Sequence, residues 1–435
     1  IPCGRPPGCE SLTPLSLLHP IFGEFLDDCQ KHEPTVGDAA LARDFVTEMG
    51  KIHRDELTRQ TALKELLDKH NIHTNEIELT NSRYGAGLTV TSPGGTSAIG
   101  EINNDIGSTG AEPLFQASLY YLEATQRKAL EVTHSALPCI LVLVFGPYIA
   151  FAGAAWSERP VVQMLSPAIP CHYHTTDLNL ENMLVRHLGA FRKALHSLQT
   201  FYARPPDDLS PYPACPYKTS ITVKKGDSDQ VVKFAYQDRM KHHNVFFGNI
   251  RIQDDSMQDK DADPVCIKFV TRYCQDAHEL LAREGLAPKL IGVERLPGGL
   301  YAVIMEDFGD NYINLFHYIE EHKDFRTSQQ YAASRNAFED RFKAGLNKLH
   351  DAGLVHGDVR NTNILVDKNS PDLAGAFYLI DYDWSGKDGE VKYPLTLNTK
   401  SVKRPDGAIG SGFIQKDHDI AMVKYLWKLT SYEES

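Results

Sequence analysis

Three oxygen-bearing side chains stand at spacings that chemistry on a hydroxyl group would use. Asp358 and Asn363 lie in the run Val355-His356-Gly357-Asp358-Val359-Arg360-Asn361-Thr362-Asn363-Ile364. A helix is predicted to end near Gly353, a short turn to carry Asp358 and Asn363, and an apolar strand to begin at Ile364. One carboxylate then faces an acceptor hydroxyl while the amide oxygen reaches a metal ion. Farther on, Leu379-Ile380-Asp381-Tyr382-Asp383 is an apolar strand ending in an acidic residue. Alone, Asp358 and Asn363 are turn caps; with the rest of the run they read as a site.

A lone cation stands upstream in Val265-Cys266-Ile267-Lys268-Phe269-Val270. Inside an apolar alternation an unpaired ammonium is costly. An ion pair with an acid on the helix predicted over 273–284 would satisfy it, with Glu279 preferred to Glu284, which abuts the helix-ending Gly285. The plainer reading of Lys268 is a snorkelling edge-strand lysine. Its place before that helix and the Asp358 run outweighs it.

Together these residues resemble the protein-kinase-like superfamily, in particular its HGD branch, which includes aminoglycoside and choline kinases and some atypical protein kinases. The resemblance implies ATP and Mg2+ as cofactors. Asp358 would orient or deprotonate the acceptor hydroxyl, Arg360 would neutralise the transferred phosphoryl, and Lys268 would hold the α- and β-phosphates. Asn363 and Asp381 would hold magnesium. Tyr301-Ala302-Val303-Ile304-Met305-Glu306-Asp307-Phe308 would run into the hinge, with Met305 behind the adenine and backbone near Glu306–Phe308 pairing with it. Asp419 would brace the catalytic loop from below.

Departures accompany the match. No GxGxxG precedes Lys268, and Gly226 is the glycine near the first hairpin. Gly357 replaces the arginine of the HRD motif, so control by a phosphorylated activation loop is not expected. About fifty residues follow Asp381, which implies a small C-terminal lobe. Tyr393-Pro394-Leu395-Thr396-Leu397-Asn398 and Arg404-Pro405-Asp406-Gly407 stand in place of the activation segment. They resemble a subgroup of kinase-like domains abundant in filamentous fungi.

The elements that must position these groups extend over 435 residues, more than one core usually organises. Residues 1–35 read as an irregular, proline-containing leader. A helical region is predicted over 41–70, strands near 77–80, 87–91 and 98–102, a helix over 112–131 and a long helix over 178–202. Residues 137–156 carry no charge and are long enough for a bilayer, but Gly146-Pro147 splits them into two strand-length halves, 139–145 and 148–155, read as a hairpin. Residues 203–216 hold five prolines and read as a linker. The expected fold is thus α+β multidomain: a domain over 36–202, the linker, and a two-lobed kinase-like domain over 217–435.

The first domain resembles the restriction-endonuclease-like PD-(D/E)xK fold, as in the domain that precedes a kinase domain in Crinkler-type effectors of fungi and oomycetes. Glu101 takes the Glu position and Gln116 that of the helix polar residue. Asn103 stands where the lysine belongs, and Thr80-Asn81-Ser82-Arg83 offers no aspartate. The domain is therefore read as degenerate, serving binding or assembly. Glu48 and Glu56 are further carboxylates, and the plain reading of Glu101 is a strand-end surface acid.

A net charge of −12 argues against general affinity for nucleic acid, although a local basic face through the first domain stays open. The eight cysteines show no zinc spacing and read as reduced thiols, Cys3 and Cys9 being the pair an oxidising compartment would join. No signal peptide is visible, and the expectation is an intracellular protein, with a secreted effector entering host cells as the alternative. Its function is expected to be phosphoryl transfer to protein Ser/Thr. A pseudokinase scaffold and a nucleic-acid-acting effector are the alternatives. A protein partner is expected and membrane association is not; oligomeric state is open.

Overall fold

The computed structural model describes residues 13–76, 87–107, 112–131, 135–203, 215–226, 228–240, 243–251, 263–370 and 372–428. The chain is a mixed α/β protein of two compact units, one reaching Thr219 and including Leu296–Gly299, the other made of Ser220–Arg295 and Leu300 onward. The proline-rich run at 204–214 lies outside the described residues.

The first unit begins with helices α1 (Leu15–Leu18) and α2 (Pro20–Lys31), which correct the reading of residues 1–35 as irregular. Pro20 sits at the first helical position, where a missing N–H costs nothing, and the His19 ring accepts from the Ile21 N–H. Ile21, Phe22 and Phe25 are then buried. The region 41–70 is two helices, α3 (Val36–Met49) and α4 (Glu56–Lys69). Gly50 ends the first, and Asp55 caps the second through the Thr58 N–H.

Strands β1 (Asn75–Glu76), β2 (Leu88–Ser92) and β3 (Gly95–Asn103) follow, then helix α5 (Pro113–Glu131). The strand expected at 77–80, and Asn81, Ser82 and Arg83, lie outside the described residues. Next come β4 (Cys139–Phe145), β5 (Tyr148–Trp156), β6 (Pro160–Met164), β7 (Ile169–Pro170) and helix α6 (Leu178–Ala203). Strands β1 to β6 lie side by side in sequence order, antiparallel except that β3 and β4, joined through α5, run parallel. The charge-free stretch forms the β4–β5 hairpin, with Gly146 at φ +58° in its turn. Both strands are apolar throughout because both faces are covered: Ile140, Val144 and Phe151 join the core with α6, while Leu141, Leu143 and Ala152 join that with α5. Among the described residues no helix is long and apolar enough to cross a membrane.

The second unit opens with strands β8 (Ser220–Lys225), β9 (Ser228–Arg239), β10 (Val245–Arg251) and β11 (Pro264–Val270). Helix α7 (Gln275–Arg283) and strands β12 (Leu290–Arg295) and β13 (Tyr301–Glu306) complete an antiparallel sheet of order β12-β13-β11-β10-β9-β8. Beyond it lie β14 (Tyr312–Asn314), α8 (Leu315–Glu321), α9 (Lys323–Thr327), α10 (Ala332–Asp351) and β15 (Leu354–Val355). The last elements are β16 (Ile364–Asp367), β17 (Phe377–Leu379), β18 (Gly386–Lys387) and α11 (Lys416–Val423). Phe338, Phe342, Leu346 and Leu349 of α10 pack on Ile364, Val366, Phe377 and Leu379, so this core holds the turn between α10 and β16 that carries Asp358.

Candidate active site

Strand β11 is hydrogen-bonded on both sides, and Val265, Ile267 and Phe269 are buried on one face. Lys268 therefore points to the other, and it is not an edge-strand residue. Its ammonium lies 2.6 Å from Asp381 Oδ1 and 2.7 Å from Asp383 Oδ1. Burial works to lower its pKa, but Asp381 and then Asp383 outweigh this and hold it above the ordinary lysine value. Two acids share one cation. Burial raises Asp381, but Lys268 outweighs it and keeps that carboxyl low; burial together with Asp381 pushes Asp383 up to about 7.

Glu279 does not join this cluster, contrary to the sequence expectation. On α7 the buried positions are Ala277, His278 and Leu281; Glu279 accepts from Gln275 Nε2 and lines a groove of about 480 Å³ with Glu306 and Tyr378. The inner place belongs to His278, whose ring stacks on Tyr382 at 4.6 Å and bonds the Pro288 carbonyl at 2.7 Å. Asp383, two residues past the expected metal ligand, supplies the second carboxylate for Lys268 instead.

The loop carrying Asp358 is held from the backbone. Asp419, 1% exposed on α11, accepts the N–H groups of His356 and Gly357, both at 2.8 Å, and meets His350 Nε2 at 3.1 Å. Gly357 has φ +84°, and a Cβ there would come within 2.8 Å of Ile414 Cδ1, so only glycine fits. Ile380 ties the two acidic clusters together: its N–H donates to the Asn363 carbonyl at 2.9 Å, and its carbonyl meets His356 Nε2 at 3.2 Å. Asp381, next in the chain, sits at φ +72°, a left-handed conformation that costs a non-glycine residue energy and that these contacts enforce.

Asp358 is 3% exposed. Asn363 Nδ2 donates to its backbone oxygen and to Oδ2, both at 2.9 Å; Arg360 Nε lies 3.0 Å from Oδ2; Arg404 Nη1 donates to Oδ1 at 2.8 Å. Arg360 is thus drawn to the aspartate. Arg404 was not singled out in the sequence, because it stands 46 positions away in an irregular segment. Its guanidinium packs on Trp384 at 5.2 Å, and the basic residue in Arg404-Pro405-Asp406-Gly407 was the only signal.

The hinge expectation needs correction in part. Met305 is buried, but Glu306 N–H donates to the Lys289 carbonyl and Asp307 N–H to that of Pro264, so those two donors are already used. The Phe308 ring stacks on Tyr378 at 4.2 Å.

The donor set suits a hard divalent cation. Asn363 uses its nitrogen on Asp358, leaving Oδ1 with a 3.4 Å contact to Thr362, and Asp381 and Asp383 add carboxylate oxygens. Among the described residues no three His, Cys, Asp or Glu side chains form a ligand group, so such an ion would draw further ligands from phosphate and water.

In the first unit Glu101 is 3% exposed, which excludes a surface acid. Burial and Glu56 push its carboxyl up to about 8, against the hydrogen bond with Tyr120. Glu48 pairs with Lys51 instead. Gln116 is buried, and among the described residues its Oε1 has no hydrogen-bond partner.

No protein-family model matches the chain, and no curated protein matches it. Among solved structures it is similar to the Cydia pomonella Granulovirus kinase PK-1, at 21% identity and a TM-score of 0.26. That match covers 33% of this chain and spans about half of the kinase, 48%. The likeness is partial, and the weight falls on the site geometry.

Proposed function

We propose that the second unit is an ATP- and Mg2+-dependent phosphotransferase with a protein Ser/Thr hydroxyl as acceptor. One observation carries the reading: Ile380 bonds both His356 and Asn363, which sets the Lys268–Asp381–Asp383 cluster beside the Asp358–Asn363 pair. Lys268 would hold phosphate oxygens once the nucleotide competes for it. Asn363, Asp381 and Asp383 would hold the metal, which supplies charge neutralisation on the phosphates. A carboxylate offers about four lone-pair sites. Asn363 and Arg404 hydrogen-bond one oxygen each of Asp358, and Arg360 is held beside it by charge, which leaves acceptor capacity for the acceptor hydroxyl.

A non-catalytic scaffold is the second reading, favoured by Lys268 being satisfied by two acids and Asp358 by two arginines. The first unit is read as a degenerate nuclease-like binding domain; its β3–α5–β4 crossover and meander support the fold, and Asn103 in place of the lysine supports the loss of catalysis.

Transfer of label from γ-labelled ATP separates the readings. Wild type is expected to label protein acceptors and Asp358→Ala and Asp381→Ala to lose at least a hundredfold. Equal labelling by all three sinks the assignment. Plasmid nicking that depends on Glu101 would restore the nuclease reading.

A further inference from the structure

Helix α7 serves Lys268 by other means than a charge. Its inward positions are Ala277, His278 and Leu281; Glu279 accepts from Gln275, and Glu284, just past the helix, pairs with Lys348. The imidazole that fills the central place is fixed on three sides. The Pro288 carbonyl can only accept, so His278 Nε2 donates to it at 2.7 Å. Burial lowers the group to about 4, so it is neutral and Nδ1 accepts from the Tyr273 hydroxyl at 2.5 Å. Its flat face lies on Tyr382, with centroids 4.6 Å apart and planes 7° from parallel.

Tyr382 joins the two acids that share Lys268, so whatever fixes its ring fixes them. It is fully buried, its hydroxyl donates to the Leu379 carbonyl at 3.0 Å, and the His356 ring meets it at 5.2 Å and 70°. One aromatic residue is thus wedged between α7 and the loop that carries Asp358. The link between β11 and α7 secures the backbone on either side of the ring. Cys274 N–H donates to the Tyr382 carbonyl at 3.2 Å, and Arg272 Nε to that of Asp383 at 2.7 Å. Asp381, immediately before it, stands at φ +72°, a conformation that persists only where its surroundings enforce it. A Tyr382 ring free to swing would let both flanking carboxylates change direction.

We propose that His278 is a positioning residue for the metal end of the site: its ring, stacked on Tyr382, aims Asp381 and Asp383. Helix α7 then acts through the two acids and not through an ion pair of its own with Lys268. The role rests on the phosphotransferase reading for its ligand, and metal-dependent nucleotide binding tests it apart from turnover.

Binding of β,γ-imido-ATP to the full chain is measured by calorimetric titration with Mg2+ and again with EDTA, and the ratio of the two affinities is the readout. Losing a group that orients metal ligands typically costs about ten- to a hundredfold in metal affinity, so His278→Leu, which fills the space without a flat ring, is expected to lower the ratio by about tenfold or more. His278→Phe keeps the stack without the two hydrogen bonds and is expected to stay within about threefold of wild type. Glu279→Gln should leave the ratio unchanged. Melting temperatures check folding, and Tyr382→Leu, which removes the same stack from the other side, replaces His278→Leu should that variant not fold.

A wild-type ratio in the folded leucine variant, an equal fall in His278→Leu and His278→Phe, or a fall in Glu279→Gln overturns the positioning role. Wild type that binds the analogue without help from Mg2+, or not at all, removes the phosphotransferase reading and the role with it. Mg2+-dependent binding that follows the ring, without label transfer from ATP, leaves the role standing and removes the transfer alone.

Discussion

Asp358 illustrates how a single carboxylate is prepared. Two cations and an amide hold its oxygens from different directions, and Arg404, 4% exposed, closes one side. Arg404→Ala leaves the aspartate freer to rotate; label transfer is expected to fall at least tenfold with little change in KM for ATP, measured in steady-state kinetics. Lys268 is the counterpart at the phosphate end. Lys268→Ala would leave two partly exposed carboxylates without their cation, which destabilises by less than the roughly 3–5 kcal/mol of a broken, fully buried ion pair. Denaturant unfolding of the second unit checks that limit, and label transfer should be lost as well.

The elements act by fixing angles. Asp419 on α11 holds the loop through two backbone N–H groups, so Asp419→Ala leaves both without their acceptor, at about 2–3 kcal/mol in denaturant unfolding. Helix α7 contributes a pH dependence. Burial lowers His278 to about 4, whereas an unfolded imidazole titrates near 6.5. Between those values the unfolded chain binds the additional proton, so stability falls as pH drops from about 6.5 toward 4, by up to about 3 kcal/mol. Above that window the group contributes nothing. His278→Phe keeps a ring on Tyr382, and its unfolding free energy is expected to show a flatter acid limb between pH 6.5 and 4. A limb as steep as that of wild type would exclude His278 as its source.

Across the whole molecule each unit has its own core, one built on α2, α3, α6 and the β1–β6 sheet, the other on α10 and the strands that follow. Calorimetry is therefore expected to resolve two transitions, with Lys268→Ala moving one and leaving the other in place. A single transition shifted as a block would contradict independent cores.

The sequence alone singled out Asp358, Asn363, Lys268 and Asp381 as candidates, because their types and local motifs resemble a known pattern, and the folded chain gathers them into two linked clusters. It also carried the β4–β5 hairpin, since Gly146-Pro147 interrupts an apolar run that no soluble helix would need. It misassigned Glu279, because helix phase decides which of two adjacent residues faces inward, and His278 took that place. It gave no sign that Glu101 would be buried or that Arg404 would reach Asp358, because both depend on chain segments distant in sequence meeting in space. Side-chain type and spacing are local properties; the partner of a charge is set by packing, and only the folded chain supplies it.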